Sequence, residues 1–130
     1  MSILCVIQCH QFNGRDVGVS DPLIDQKGKL LGELRRGVLV LAVLSALREE
    51  RHAYLLRKEL AASGLSVEEG TLYPLLRRIE EQGLLCSRWD DADGRARRYY
   101  RLSADGAAML EYLNVEWLEL EAAVNSLIGV

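Results

Sequence analysis

From residue 30 onwards, apolar positions recur at helical spacing. Leu31, Leu34, Val38, Leu41 and Val43–Leu44 mark a first helix that is apolar round most of its circumference, as a helix enclosed by a core or by a second subunit is. Its end is expected near Glu49–Glu50. A second helix begins near Ala53, puts Leu55, Leu56, Leu60 and Ala61 on one side, and stops at Ser63–Gly64, where glycine accepts a left-handed cap. The third helix has a start signal: Ser66-Val67-Glu68-Glu69 has the S-x-x-E form of a capping box. Leu72, Leu75, Leu76 and Ile79 then make a single apolar stripe, and Gly83 ends it. The other side carries Gly70, Tyr73, Pro74, Arg77 and Glu81, flanked by Thr71 and Arg78. Pro74 removes a bond to the carbonyl of residue 70, which predicts a bend near Gly70 or a start closer to Thr71.

The period then shortens. Leu84–Trp89 and Arg95–Leu102 read as strands joined by the turn formers Asp90-Asp91-Ala92-Asp93-Gly94. Ser103 caps a last helix running to about Ile128. Its apolar positions Leu110, Leu113, Trp117, Leu120, Val124 and Leu127 step 3-4-3-4-3, a heptad seam. Three helices, a hairpin and a closing helix predict a mainly α fold with a small two-stranded β wing. That is a winged helix-turn-helix plus a C-terminal dimerisation helix. The expected divisions are an N-terminal arm (1–29), the winged helix-turn-helix (30–102) and the dimerisation helix (103–130).

The arm reads differently from the rest. Asn13-Gly14 between Ile3–Phe12 and Arg15–Val19 is a hairpin signal, and Asp21-Pro22 with Gly28 reads as a linker. A small hairpin, a strand pairing with a second subunit and a flexible leader all fit it.

At 130 residues, with 49% apolar and 27% charged residues, the chain suits one soluble domain. The longest apolar run, Gly37 to Leu47, is well short of the roughly 20 residues a membrane span needs. Ile3–Ile7 has no preceding basic residue, which disfavours a secretory signal. Three cysteines (Cys5, Cys9, Cys86) argue against a disulfide framework and for a reducing, cytoplasmic setting. The net charge of −3 is unevenly spread. Residues 102–130 carry −5 and residues 1–101 carry +2. Arg95, Arg97, Arg98 and Arg101 fall together with no acid among them; Arg77–Arg78 form a pair, and Arg51, Arg57 and Lys58 a third group. Gripping phosphates takes a local basic surface, not a basic average.

In a helix-turn-helix the second helix of the pair enters the major groove, so its exposed side would present Tyr73 and Arg77. An arginine fork matches two acceptors of a guanine edge, and a tyrosine hydroxyl can donate to phosphate. Phosphate anchoring falls to Arg95, Arg97, Arg98 and Lys58. The full candidate DNA-contacting set is Tyr54, Lys58, Thr71, Tyr73, Arg77, Arg78, Arg95, Arg97 and Arg98. Glu80 and Glu81 count against it, since they partly cancel Arg77 and Arg78.

The run Gly70-Thr71-Leu72-Tyr73-Pro74-Leu75-Leu76-Arg77-Arg78-Ile79-Glu80-Glu81-Gln82-Gly83-Leu84-Leu85 closely resembles the signature of the PadR family of transcriptional regulators. Leu30-Leu31-Gly32-Glu33-Leu34-Arg35-Arg36-Gly37 and Arg98-Tyr99-Tyr100-Arg101-Leu102 resemble its other two landmarks. The likeness spans Leu30 to Ile128 and is to the short branch with one C-terminal helix. It implies a homodimeric winged-helix repressor whose last helix packs across the two-fold axis. Two features depart from the pattern: Ala53 follows His52 where the family commonly has glycine, and the arm before Leu30 has no counterpart.

The seam itself points to a second, identical chain, with packing on the chain's own first helix as the alternative. Trp117 sits mid-seam, and Tyr112 and Trp89 are expected near it. Aromatics there resemble those lining an inter-subunit cavity for planar organic effectors in some relatives; plain core is the other reading. Cys5, Cys9 and His10 lack the spacing of a zinc site. With His10 and His52 the only histidines, and no phosphate loop or paired-carboxylate pocket, neither an enzyme nor a cofactor is expected. Two rival readings remain: a winged protein–protein interaction module that does not read DNA, and a small-molecule binder without DNA function.

Overall fold

Residues 22–129 are described by a computed structural model. The arm's Asn13-Gly14 turn and Cys5, Cys9 and His10 lie outside the described residues. The elements are α1 (Pro22–Ala46), β1 (Arg51–His52), α2 (Ala53–Ala62), α3 (Glu69–Glu81), β2 (Leu85–Asp90), β3 (Arg97–Leu102) and α4 (Ala104–Ile128). No helix among the described residues is long and apolar enough to cross a membrane. The chain divides into two compact units at Arg35–Arg36.

Helix α1 starts eight residues before the expected Leu30. Pro22, read as part of a linker, occupies the first helical position, where its missing N–H has no partner to lose and its fixed φ suits a helix. Asp25 in the first turn complements the helix dipole. In the first unit Leu23, Ile24, Leu30, Leu31 and Leu34 are exposed.

In the second unit, Val43, Leu44 and Leu47 pack with Leu56 and Leu60 of α2, the α3 stripe, Leu85, Tyr100 and Leu110. The stripe Leu72, Leu75, Leu76 and Ile79 is buried, as its spacing predicts. Both α2 and α3 close with Schellman turns. Gly64 and Gly83 take positive φ, and the next residues donate back: Leu65 N–H to the Leu60 carbonyl (2.8 Å) and Leu84 N–H to the Ile79 carbonyl (3.1 Å).

One local expectation fails. Helix α3 does not start where the S-x-x-E pattern puts it: it begins at Glu69, with Glu68 at the cap position and no cap bond from the Glu68 side chain. Glu69 instead pairs with Arg57 of α2 (2.9 Å), whose Nε donates to the Val67 carbonyl (3.2 Å). Glu68 is extended, and Leu65 and Val67 lie against the core. The expected wing hairpin forms from β2 and β3, and a third, two-residue strand joins its sheet. His52 caps α2 in an extended conformation, so Arg51–His52 lies straight enough to pair with Tyr100 and Tyr99, giving the antiparallel order β1-β3-β2.

Helix α4 begins where Ser103 predicts. Ser103 Oγ accepts from Gly106 N–H (2.9 Å) and donates to the Gly83 carbonyl (2.6 Å), while Ser103 N–H donates to the Leu84 carbonyl (3.1 Å). Gly106 is fixed by this approach: a Cβ there would meet the Leu84 carbonyl oxygen at 1.9 Å. Of the seam, Leu110 is buried and Leu113 and Trp117 are half-buried; Leu120, Val124 and Leu127 are exposed in the single chain.

Candidate nucleic-acid interface

An open cleft of about 820 Å³ lies between the start of α2, α3 and the wing. Seven residues singled out from the sequence line it: Tyr54, Tyr73, Arg77, Trp89, Arg95, Arg97 and Arg98. Tyr73 and Arg77 stand one turn apart on the exposed side of α3, opposite its buried stripe. Tyr54 comes from the first turn of α2, and the arginines from the ascending side of the wing. Tyr54 also borders a smaller hollow of about 240 Å³ with Arg57 and Lys58, whose ammonium lies 5.4 Å from the Tyr54 ring centroid. Thr71 and Arg78 are exposed on α3 but do not line the cleft.

The cations differ in how they are engaged. Arg77, Arg78 and Arg95 make no ion pair among the described residues. Arg97 approaches Asp93 only to 3.8 Å. Arg98, expected on phosphate, donates to Glu80 (2.9 Å) and to Ser87 Oγ (2.9 Å), and its guanidinium lies 5.8 Å from the Trp89 ring and 5.6 Å from Tyr100. Glu80 therefore does not cancel Arg77 and Arg78; it is taken up by the wing.

Strand register explains these neighbours. Trp89 opposes Arg98 and Ser87 opposes Tyr100, and all four project to the α3 side of the sheet. Trp89 is consequently 66% exposed in the cleft, and Tyr112 and Trp117 of α4 do not line it. On the other face Arg88 binds Glu50 (Nε to Oε2, 2.9 Å) and Asp90 (2.8 Å) and stacks over Tyr99. Those hydrogen bonds hold both carboxyls below their ordinary range, with the Ala92 N–H adding to the effect at Asp90, and raise Arg88. One of the three wing-turn aspartates is thereby neutralised locally.

His52, Glu80 and Tyr100 also line the cleft, and none of them was among the candidate site residues read from the sequence. His52 Nδ1 accepts from Leu55 N–H (3.4 Å), and burial, then Arg97, lowers its pKa. Burial pushes the Tyr100 hydroxyl up, against the pull of Arg98. Glu80 lies three residues after Arg77, on the same helix face as Tyr73, which is the one signal that could have found it.

The profile of the Transcriptional regulator PadR-like family matches residues 40–112. Transcriptional regulator Rv3488 of Mycobacterium tuberculosis is 44% identical over 79 residues, spanning 60% of this chain and 74% of that protein. The crystal structure of a PadR family transcriptional regulator from Eggerthella lenta is similar at 43% identity and a TM-score of 0.73, covering 82% of this chain and 95% of that one. A PadR-like transcription factor from Bacteroides fragilis is similar at 34% identity and a TM-score of 0.65, covering 76% and 98%.

Proposed function

This chain belongs to the PadR-like family of transcriptional regulators, and we propose that it acts as a homodimeric repressor that occupies promoter DNA. The observation that carries this reading is the convergence of Tyr54, Tyr73, Arg77 and Arg95 on one cleft, with the two arginines making no ion pair among the described residues. Arg77 offers a planar fork to a guanine edge from α3, while Arg95, Arg97 and Lys58 lie to either side as phosphate anchors. Glu50 and Asp90 are engaged by Arg88, which lowers the cost of bringing the wing near phosphates.

Dimerisation is supported by α4. Leu120, Val124, Leu127 and Ile128 are all at least half exposed in one chain, a continuous apolar stretch that a second copy would cover. Half-buried Trp117 lies at the inner end of that stretch, and with Tyr112 it is our candidate for stacking a planar aromatic effector. Such a ligand would act through unequal affinity for the two arrangements of the paired wings.

Selection of bound fragments from a random pool of duplexes tests the reading. The expected product is an inverted repeat with half-sites about one helical turn apart. Recovery of no enriched sequence would leave the interaction-module alternative in its place.

A further inference from the structure

We infer that Arg98 is a positioning residue: with Glu80 and Ser87 it braces α3 against the wing and sets the width of the cleft, instead of binding phosphate. The inference rests on the DNA-binding reading only for its consequence; its geometry stands on the free chain.

Three elements meet at this point. Glu80 comes from α3, Ser87 from β2 and Arg98 from β3. The guanidinium spends Nε on Ser87 Oγ and one terminal nitrogen on Glu80 Oε1, while the Ser87 hydroxyl donates to the other carboxylate oxygen, Glu80 Oε2. The triangle is closed: each carboxylate oxygen accepts once, and the hydroxyl both donates and accepts. Trp89 and Tyr100 lie against the guanidinium at cation–π distance. For Arg98 to reach a phosphate it would have to leave two charge-assisted bonds and two ring contacts. Among the described residues, Arg77 and Arg95 make no ion pair or ring contact of this kind. A lysine at position 98 keeps the charge but cannot make the planar two-point contact.

The brace and a phosphate role predict opposite signs for one conservative change. Glu80→Gln removes an acid facing the proposed DNA, which by charge alone tightens binding. As part of a brace, its loss frees the wing and weakens binding. On a duplex recovered by selection, Glu80→Gln is expected to weaken binding about fivefold with the salt slope unchanged. Arg98→Lys is expected not to restore wild-type affinity. Tighter binding by Glu80→Gln, or a slope smaller by about 0.9 in Arg98→Ala, would overturn the assignment. A DNA-free arm judges the brace alone. The chain has two tryptophans, so 5-fluorotryptophan labelling gives one fluorine resonance for Trp89 and one for Trp117. Glu80→Gln should shift the Trp89 signal and spare that of Trp117; an unmoved Trp89 signal refutes the brace whatever the DNA result. A wild-type chain that binds no duplex refutes the DNA reading and leaves the fluorine arm decisive.

Discussion

Gly106→Ala probes the closest approach made by any described glycine. The added methyl would lie 1.9 Å from the Leu84 carbonyl oxygen, 2.9 Å from its carbon and 3.3 Å from Leu102 Cδ2. An ordinary C···O contact is about 3.3 Å, so α4 and the Leu84 backbone must separate by about 1.4 Å. The obstacle is main chain and cannot rotate away. The Leu84 carbonyl also accepts from Ser103 N–H, and the same serine caps α4 and holds the Gly83 carbonyl, so separation strains three bonds at once. Overpacking of this kind costs about 1–3 kcal/mol, here toward the upper end. Loss of the cap adds about 1 kcal/mol. The gain in helix propensity from glycine to alanine returns about 1 kcal/mol. The net is about 2–3 kcal/mol, a fall in Tm of about 10–20 °C for a domain of this size. Circular dichroism melts at one fixed chain concentration measure it, because association shifts Tm. Gly28→Ala in α1 is the control: nothing lies within 4 Å of its added methyl. A Gly106→Ala chain melting within about 3 °C of the parent would refute the packing of α4 on the α3–wing corner.

Arg77→Ala should cost about 1–3 kcal/mol and relax preference at one base position, whereas Arg95→Ala should weaken all duplexes alike and lower the salt slope by about 0.9. Footprinting and salt titration separate the two, and matching behaviour of both variants would remove the division of labour. Leu120→Glu with Leu127→Glu should convert dimer to monomer in sedimentation while each chain stays folded, since both side chains are exposed in one chain; an unchanged mass would move the interface elsewhere. Acid should destabilise the domain through His52. Its folded pKa lies below the ordinary value of 6.5, so the unfolded chain takes up the proton first as pH falls. Stability is full above about pH 6.5 and declines below it until the folded imidazole also titrates. His52→Asn keeps a capping acceptor and should flatten this part of the pH–stability curve; an unchanged slope would exonerate His52.

Some of this was legible in the chain. The buried side of α3 could be read because its four apolar residues fall at i, i+3, i+4 and i+7. The cap of α4 could be read because Ser103 follows a strand and precedes a helical period. The start of α1 was hidden because Pro22 serves equally as a linker residue and as a first helical residue. The start of α3 fell later than Ser66 predicts, and there Arg57, ten residues before Val67 in sequence, holds the Val67 carbonyl and Glu69, a contact no local pattern encodes. The cleft was legible by half. Tyr73 and Arg77 share a helix face, which spacing reveals. The engagement of Arg98 depends on the cross-strand register of β2 with β3 and on their seat against α3, neither of which any local pattern encodes. For the same reason the acid beside the arginine pair looked like a cancelling charge, when it is committed to the wing.

Native mass spectrometry of the protein on a selected duplex tests the central claim, that two joined chains present two α3–wing clefts to one DNA. Saturation at two chains per duplex, with little of a one-chain complex on the way, is the predicted result. A complex that saturates with a single chain would contradict it.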